Sequence, residues 1–326
     1  MKTVKKAGLI LVGLILTVVV VGLGVLFLFF PKVDPAPDLK VQITPEKVAR
    51  GKYIANSVAV CMDCHSQRDW SSFSGPLVSG TLGMGGERFS REMGFPGIFY
   101  SKNITPAGIG TWTDGEIYRA ITSGVNKDGK SLFPVMPYHH YNQLHDQDIH
   151  AVIAYLRSLA PIENEIPDRT IDFPVNLILR TMPAPRAEIA AIPEKSDKLA
   201  YGKYLATMAS CVDCHTPVKN GNIIKDQVFS GGREFVMPGG ILTSPNLTPS
   251  ASGLKHWTEE QFVSTFKQYQ DSSYVSPKLG PEDMNTLMPW MMYAGMEEED
   301  LKAIFTYLQS LPPIERTVQK FAPKNN

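Results

Sequence analysis

The chain contains one unit twice, and this internal repeat limits the folds open to it more than any other feature. Residues 135–163, "VMPYHHYNQLHDQDIHAVIAYLRSLAPIE", match residues 287–315, "LMPWMMYAGMEEEDLKAIFTYLQSLPPIE", without a gap. Upstream, "GKYIANSVAVCMDCH" (51–65) matches "GKYLATMASCVDCH" (202–215) with one residue fewer in the second copy. A repeat of this length predicts two similar domains in tandem.

Each copy ends in an amphipathic helix. Apolar side chains recur at helical spacing in the first copy and again, position for position, in the second. These positions are Ile149, Val152, Ile153, Leu156 and Leu159, and Leu301, Ile304, Phe305, Leu308 and Leu311. Pro161 in the first copy and Pro312 in the second are expected to end these helices.

Further helix starts precede the closing helices in both copies. Stretches rich in glycine and proline lie between them, such as "SGTLGMGGERF" and "FSGGREFVMPGG", and these disfavour long strands. The sequence therefore predicts a mostly α fold. The starts are the capping-box pairs Thr113–Glu116 and Thr258–Gln261 for a middle helix in each copy, and Thr44 and Ser196 for the helices that run into the cysteine motifs.

All four cysteines lie in two C-x-x-C-H motifs, "CMDCH" and "CVDCH". This spacing is typical of covalent haem c, because each thiol forms a thioether with one vinyl group and the following histidine ligates the iron. We therefore predict two covalently attached haem c groups. A four-cysteine zinc site, a thioredoxin-like pair and disulfides stay open as alternatives, although none of them uses the histidines. The predicted haem residues are Cys61, Cys64 and His65, and Cys211, Cys214 and His215.

The second axial ligand of each iron separates an electron carrier from a catalyst, because an open position admits a small substrate. Met136 and Met288 align between the gapless copies, and each precedes a proline and an aromatic residue. We predict both as distal iron ligands, with core packing as the alternative for any single methionine. We interpret the histidines outside the motifs as surface residues or supports. The nearby competitors are Met291, Met292, His139 and His140.

Other recurring side chains fit either a haem pocket or ordinary turn chemistry. Asn103 and Thr105 of "NITP" recur as Asn246 and Thr248 of "NLTP". They would hydrogen-bond haem propionates in the first interpretation and close turns in the second. Trp112 and Trp257 also recur at the expected pocket edge. The residues expected to line the methionine side are Tyr138, Tyr141, Trp290 and Tyr293.

Residues 7–30 form an uncharged run that is long enough to span a membrane. As a helix with a rise of about 1.5 Å per residue, the run exceeds the roughly 30 Å hydrocarbon core. Its length, and an end without a small-residue cleavage pattern, favour an uncleaved anchor over a secretory signal. Because Lys2, Lys5 and Lys6 precede it, we predict a single-pass protein of the bacterial cytoplasmic membrane. Its N-terminus would lie in the cytoplasm and its haem domains in the periplasm or on the outer face.

These features divide the chain into six parts. Prolines after the apolar run favour a semi-extended stalk that lifts the first domain off the membrane. We interpret the linker between the copies as a segment packed along the domain interface. The formal net charge of zero gives no reason to expect nucleic acid as a partner. The parts are the cytoplasmic N-terminus and anchor (1–30), stalk (31–43), first domain (44–163), linker (164–193), second domain (194–316) and tail (317–326).

The two halves resemble class I cytochrome c domains. The run from "NITPAGIGTWTDGEIYRAITSGVNKDGKSLFPVMPY" to "AYLRSL" is similar in particular to the cytochrome c subunits of membrane-bound alcohol and gluconate dehydrogenases. Together with the anchor predicted from residues 7–30, the chain would be an N-terminal transmembrane helix followed by two tandem class I domains. The resemblance also implies maturation outside the cytoplasm. It implies His65 and His215 as proximal ligands and Met136 and Met288 as distal ligands. Those subunits typically carry three haem domains and no N-terminal helix.

The predicted function is an electron relay near the outer face of the cytoplasmic membrane, without catalytic residues of its own. Its expected partners are the membrane and redox proteins, namely a dehydrogenase, a terminal oxidase or a soluble electron carrier. One alternative is the dihaem subunit of a terminal oxidase. A less favoured alternative is a dihaem enzyme such as a peroxidase, because matched methionines in both copies argue against an open iron.

Overall fold

A long apolar helix at the N-terminus is exposed along most of its length. The computed structural model describes residues 2–187, 189, 191–219, 221–271 and 273–324. Helix α1 (Lys2–Phe29) includes the apolar stretch Val4–Phe29, which is not buried against other parts of the protein. Among the described residues, it is the one helix long and apolar enough to cross a membrane.

Short helices form most of the regular structure after α1, so the prediction of a mostly helical fold is confirmed. A π-helical turn (Ile54–Val58) extends the first of them. Single 3-10 turns lie at Arg91–Met93, Leu179–Thr181 and Lys225–Gln227. The helices are α2 (Pro45–Tyr53), α3 (Cys61–Cys64), α4 (Pro106–Ile109), α5 (Asp114–Ser123), α6 (Tyr138–Tyr141), α7 (Asp146–Ser158), α8 (Val175–Ile178), α9 (Lys198–Met208), α10 (Cys211–Cys214), α11 (Glu259–Lys267), α12 (Trp290–Tyr293) and α13 (Glu298–Gln309).

The helix starts agree with the sequence signals, with one shift. Both predicted capping boxes form, at the beginning of α5 and of α11. Thr44 caps α2 by accepting a hydrogen bond from the backbone N–H of Lys47 at 3.3 Å. The start predicted at Ser196 is one residue early, because Asp197 is the cap and its carboxylate accepts from the N–H of Ala200 at 3.0 Å. Both residue types cap helices well, so the sequence alone did not separate them.

The core of each half forms where its first and last long helices pack together, α2 on α7 and α9 on α13. The backbones approach closely at two matched glycines. A Cβ at Gly51 would lie 1.9 Å from the carbonyl oxygen of Ala151, and one at Gly202 would lie 1.9 Å from that of Ala303. Only glycine permits this contact, so the repeated "GKY" is explained by helix packing.

Strands are short, as the glycine-rich connections predict, and all of their pairings are antiparallel. One strand comes from the tail predicted over 317–326, whose last two residues lie outside the described part of the chain. The sheets are β1 (Arg88–Phe89), β2 (Gly97–Tyr100) and β3 (Thr170–Ile171); β4 (Val218–Lys219) and β5 (Asn222–Ile223); and β6 (Glu234–Met237), β7 (Gly240–Thr243) and β8 (Phe321–Pro323).

Residues 31–43, predicted as a stalk, lack regular secondary structure but do not stand free of the first half. The N–H of Val41 donates to Asp114 Oδ2 at 2.8 Å, and the Val41 side chain is buried. A Cβ atom at Gly115 would lie only 1.8 Å from the carbonyl oxygen of Pro37, so the two backbones are in close contact. The prolines favour an extended backbone, as predicted. Burial of apolar side chains such as Val41 then holds that backbone against the protein.

Matched contacts join the two halves in an approximate twofold arrangement. The Tyr53 hydroxyl donates to Asp300 Oδ2 at 2.7 Å, and the Tyr204 hydroxyl donates to Asp148 Oδ2 at 2.8 Å. Each hydroxyl also accepts a hydrogen bond from a backbone N–H at the start of the helix that carries the contacted aspartate. These distances are 3.0 Å for Tyr53 and 3.1 Å for Tyr204. Each tyrosine thus reaches from the first helix of its half to the first turn of the other half's last helix. The two carboxylates are buried.

Candidate haem sites

Each C-x-x-C-H motif forms one helical turn that ends at its histidine. In α3 and in α10, the histidine N–H donates to the carbonyl of the first cysteine at 3.0 Å. The residue ahead of each turn has a left-handed backbone, with φ of 44° at Val60 and 53° at Ser210. This conformation is costly for residues other than glycine, and most of all for a β-branched one. The same strained corner in both halves therefore indicates a constraint on the position of the motif.

The motif histidines are oriented by backbone carbonyls. His65 Nδ1 lies 2.6 Å from the carbonyl oxygen of Lys102, and His215 Nδ1 lies 3.0 Å from that of Pro245. A carbonyl only accepts, so Nδ1 carries the proton in both rings and the Nε2 lone pair is left for a metal. Burial lowers the pKa of both imidazoles, which keeps them in the neutral form that ligates iron.

Matched turns hold those carbonyls in place. Asn103 Oδ1 accepts from the N–H of Thr105 at 2.9 Å and from its hydroxyl at 2.7 Å. Asn103 Nδ2 donates to the carbonyl of Ile162 at 2.8 Å, just beyond the closing helix. Asn246 and Thr248 repeat these contacts in the second half. The side chains of Asn103 and Asn246 thus make their hydrogen bonds within the protein, which supports the turn interpretation over propionate binding.

The four cysteines fit separate attachment sites better than a shared zinc site. All four are free thiols, and among the described residues they do not gather into a metal-binding cluster. Burial raises the pKa of the Cys61 and Cys211 thiols to about 12, and it raises the pKa of Cys64 as well. A structural zinc site needs thiolates brought together, whereas thioether formation consumes each thiol separately.

The two methionine loops lead into short helices that dock on the motifs. Tyr141 of α6 and Tyr293 of α12 each donate a hydrogen bond to the carbonyl two residues ahead of the first motif cysteine, at 3.1 and 3.0 Å. Met136 and Met288 lie just before these helices and are half-buried. The structure therefore places the short helix that follows each predicted methionine against the residues that lead into the C-x-x-C-H turn of its own half.

The aromatic residues expected around the methionines differ in burial. Tyr138, like the two docking tyrosines, is buried, and Trp290 stacks on Tyr269 with ring centroids 5.3 Å apart. Trp112 packs against the core, whereas Trp257 is 40% exposed. Trp257 therefore does not seal a pocket edge in this structure.

His139 and His140, interpreted from the sequence as surface residues or supports, reach across to the other half. His140 Nε2 lies 2.8 Å from Asp213 Oδ1, and His139 Nε2 lies 3.7 Å from Asp213 Oδ2. His139 is exposed, but His140 is buried. Asp213 stands between the two cysteines of the second motif, so the first methionine loop and the second motif are in contact.

A serine of the first half holds the methionine loop of the second, and sequence reasoning missed it. The Ser74 hydroxyl donates to the carbonyl of Met288 at 2.6 Å and accepts from the N–H of Trp290 at 3.3 Å. The N–H of Ser74 donates to Asn285 Oδ1 at 2.8 Å. Ser74 lies in a loop without a clear counterpart in the second copy, so the repeat offered no signal for it.

Comparison with known proteins identifies the second half as a cytochrome c domain. Residues 199–312 match the family model described as cytochrome c. The chain is 29% identical over 286 residues to the cytochrome c subunit of the quinone alcohol dehydrogenase of Gluconobacter oxydans, covering 82% of this chain and 55% of that protein. It is 28% identical over 283 residues to the cytochrome c subunit of gluconate 2-dehydrogenase from Pantoea cypripedii, covering 81% and 59%.

A third relative matches this chain over nearly its whole length. It is a dihaem c-type cytochrome of Cereibacter sphaeroides, 28% identical over 313 residues, which are 91% of this chain and 96% of that protein. By contrast, the chain spans only about half the length of the dehydrogenase subunits that it matches. Residues 199–312 are therefore a cytochrome c domain, and the chain is a homologue of dehydrogenase cytochrome c subunits and of a dihaem cytochrome c.

Proposed function

We propose that both halves of the chain are cytochrome c domains, each holding one covalently attached haem c. Their boundaries would be 44–163 and 194–316, separated by the linker 164–193. The first half supports this proposal because it repeats the elements and hydrogen bonds of the half that matches the family model. The residues that would hold the two groups are Cys61, Cys64, His65 and Met136, and Cys211, Cys214, His215 and Met288.

The observation that carries the proposal is the histidine geometry, which is the same in both halves. A backbone carbonyl fixes the Nδ1 proton of His65 and of His215, so Nε2 of each ring is oriented as a ligand. Met136 and Met288, which directly precede the helices docked beside the motifs, would each supply a thioether sulfur as the second iron ligand. Haem c, when bound, supplies a one-electron redox centre. The chain's own residues orient it and exclude water.

We propose that the chain relays electrons between a respiratory donor and a downstream acceptor. Methionine in a matched place in both halves favours six-coordinate iron, which suits electron transfer rather than peroxide chemistry. The relatives are named as cytochrome subunits of dehydrogenases, which supports a dehydrogenase as the donor and a chain without catalytic residues of its own. The relay would lie outside the cytoplasm, anchored by α1 in the cytoplasmic membrane.

Counting haem groups tests the two-domain proposal. The purified full chain should carry two haem c groups that survive denaturation, since thioethers are covalent. Cys214→Ala should leave the first group attached, and Cys64→Ala should leave the second. One group per wild-type chain, or loss of both groups in either variant with the protein still folded, would contradict two independent attachment sites.

Gentle detergent extraction tests the partner. A flavin- or quinone-cofactor dehydrogenase that co-purifies with the chain and reduces both haems in the presence of its substrate would support the proposal. Co-purification of a haem-copper oxidase would instead favour the terminal-oxidase alternative. Peroxide turnover by the purified chain alone would contradict the assignment as a relay.

A further inference from the structure

The linker between the two halves touches the end of the membrane-spanning helix. Arg180 Nη2 donates to the carbonyl of Phe30 at 2.8 Å, and its Nε donates to the carbonyl of Leu26 at 3.3 Å. The guanidinium also lies 4.7 Å from the centroid of the Phe27 ring. These carbonyls belong to the last turn of α1 and its immediate continuation, where a helix leaves backbone acceptors without internal partners. Arg180 thereby fixes the linker at the outer end of the anchor.

Other contacts fix the same stretch to the first half of the protein. Strand β3 pairs with β2 just ahead of it, and Asp172 accepts a hydrogen bond from Arg91 Nε at 3.0 Å. Leu179, next to Arg180, is buried. Residues 173–182, which we call the strap, are therefore held at both ends and do not swing freely.

The strap nevertheless exposes large apolar side chains. Phe173 is 79% exposed, Ile178 is 47% exposed and Met182 is 38% exposed. Large apolar side chains left exposed on a segment that is held in place usually mark a contact surface, because leaving them in water is unfavourable. Packing along the domain interface, which the composition suggested for this linker, does not account for these three side chains.

The depth of the strap follows from its contact with α1. The apolar stretch Val4–Phe29 holds 26 residues, or about 39 Å of helix, which is longer than the roughly 30 Å hydrocarbon core. Its last turn would therefore reach the headgroup region. Arg180 contacts this turn, and Ile178 and Met182 are each two residues from it in the sequence, so they lie near the same level. This layer accommodates apolar side chains beside an arginine, because the apolar side chains enter the lipid and the arginine contacts the headgroups.

We propose that the strap is a second membrane contact, with Phe173, Ile178 and Met182 inserted into the outer leaflet of the bilayer. The inference rests on the proposed anchoring by α1 and extends it. A chain held only by α1 could tilt and rotate about one point. A chain held by α1 and the strap has its first half fixed against the membrane surface, which limits the faces open to a redox partner.

Photolabelling from within the lipid tests this in the unmodified, haem-loaded full chain. The chain is placed in nanodiscs that contain a lipid with a carbene-generating group on its acyl chain, and adducts are mapped by mass spectrometry. We expect adducts on α1 and on residues 173–182. Adducts on α1 alone would overturn the strap proposal and leave the anchor intact. An absence of adducts on α1 would instead contradict the anchoring itself.

Site-specific depth measurements give an independent readout. Nitroxide labels on Phe173→Cys and Ile178→Cys should collide more with oxygen than with a water-soluble nickel complex, as should a label on Val12→Cys in the middle of α1. Variants are used only if they keep the haem content of the wild type. Labels on the strap that favour the nickel reagent, while Val12→Cys favours oxygen, would overturn the proposal. Labels shielded from both reagents would also overturn it, because they would indicate a protein contact.

Discussion

Replacing Tyr53 by phenylalanine should weaken the junction between the two halves. The Tyr53 hydroxyl donates to Asp300 at 2.7 Å, and this aspartate is 0% exposed. A hydrogen bond to a charged group contributes about 1.5–3 kcal/mol, and a buried acceptor that loses its donor keeps its desolvation cost. Two groups would compensate in part: the Tyr201 hydroxyl donates to Asp300 Oδ2 at 3.5 Å, and Lys195 Nζ lies 3.4 Å from Asp300 Oδ1. We therefore expect the free energy of unfolding to fall by about 2 kcal/mol, or roughly 30-fold in the equilibrium constant.

The assay is urea unfolding of the haem-loaded full chain in mild detergent. Tyr204→Phe, which removes the matched contact to Asp148, should lose less, because Asp148 keeps two hydrogen bonds from Arg50 at 2.8 and 3.1 Å. Tyr155→Phe is the control, because its hydroxyl accepts a neutral hydrogen bond from Asn56 at 3.0 Å within the first half. It should lose only about 1 kcal/mol. A midpoint for Tyr53→Phe equal to that of the wild type, or a control that loses as much, would refute the reasoning.

The same contact gives stability a dependence on alkaline pH. Burial, followed by the hydrogen bond to Asp300, raises the pKa of Tyr53 above its usual value of 10.0. Above that pH the unfolded chain loses the phenol proton while the folded chain retains it, so the stability contributed by Tyr53 declines as pH rises. The difference in unfolding free energy between wild type and Tyr53→Phe should therefore shrink above pH 10. A difference that stays constant or grows would contradict this assignment.

Four further changes test the packing around the motifs. Gly51→Ala and Gly202→Ala each bring a methyl group to 1.9 Å from a backbone oxygen. Each should cost at least about 1–3 kcal/mol in urea unfolding and reduce the yield of haem-loaded chain. Asn103→Ala removes the acceptor of two buried hydrogen-bond donors. It should lower the free energy of unfolding by about 1–3 kcal/mol, again measured in urea. Ser74→Ala frees the carbonyl of Met288 and should weaken the methionine-to-iron absorption band of one haem. Equal weakening at both haems would count against that contact.

Features with local signals were predictable from the sequence. The capping boxes at Thr113 and Thr258 formed as predicted, because the donor and acceptor lie three residues apart. The closing helices α7 and α13 end before the prolines that were expected to stop them. The haem ligands and domain boundaries stay predictions, although the structure gives the motif histidines the same hydrogen-bond geometry in both halves.

Features that depend on distant parts of the chain were not predictable. Tyr53 and Asp300 are 247 residues apart, and no local pattern pairs them; the fold brings them together by placing α2 beside the start of α13. His140 was interpreted as a surface residue or support because it has no counterpart in the second copy, yet the interface buries it beside Asp213. The exposure of Phe173, Ile178 and Met182 was not predictable for a related reason, since composition alone does not show which side chains a linker leaves exposed.

The central claim is that a histidine and a methionine hold the iron in each half. Near-infrared magnetic circular dichroism of the oxidised full chain tests it most directly, because the charge-transfer band identifies the axial pair of each low-spin haem. We predict histidine–methionine ligation at both haems of the wild type, with Met136→Ala and Met288→Ala each removing the signal of one haem only. A wild-type spectrum with bis-histidine or high-spin haem, or either variant retaining both methionine signals, would contradict the account.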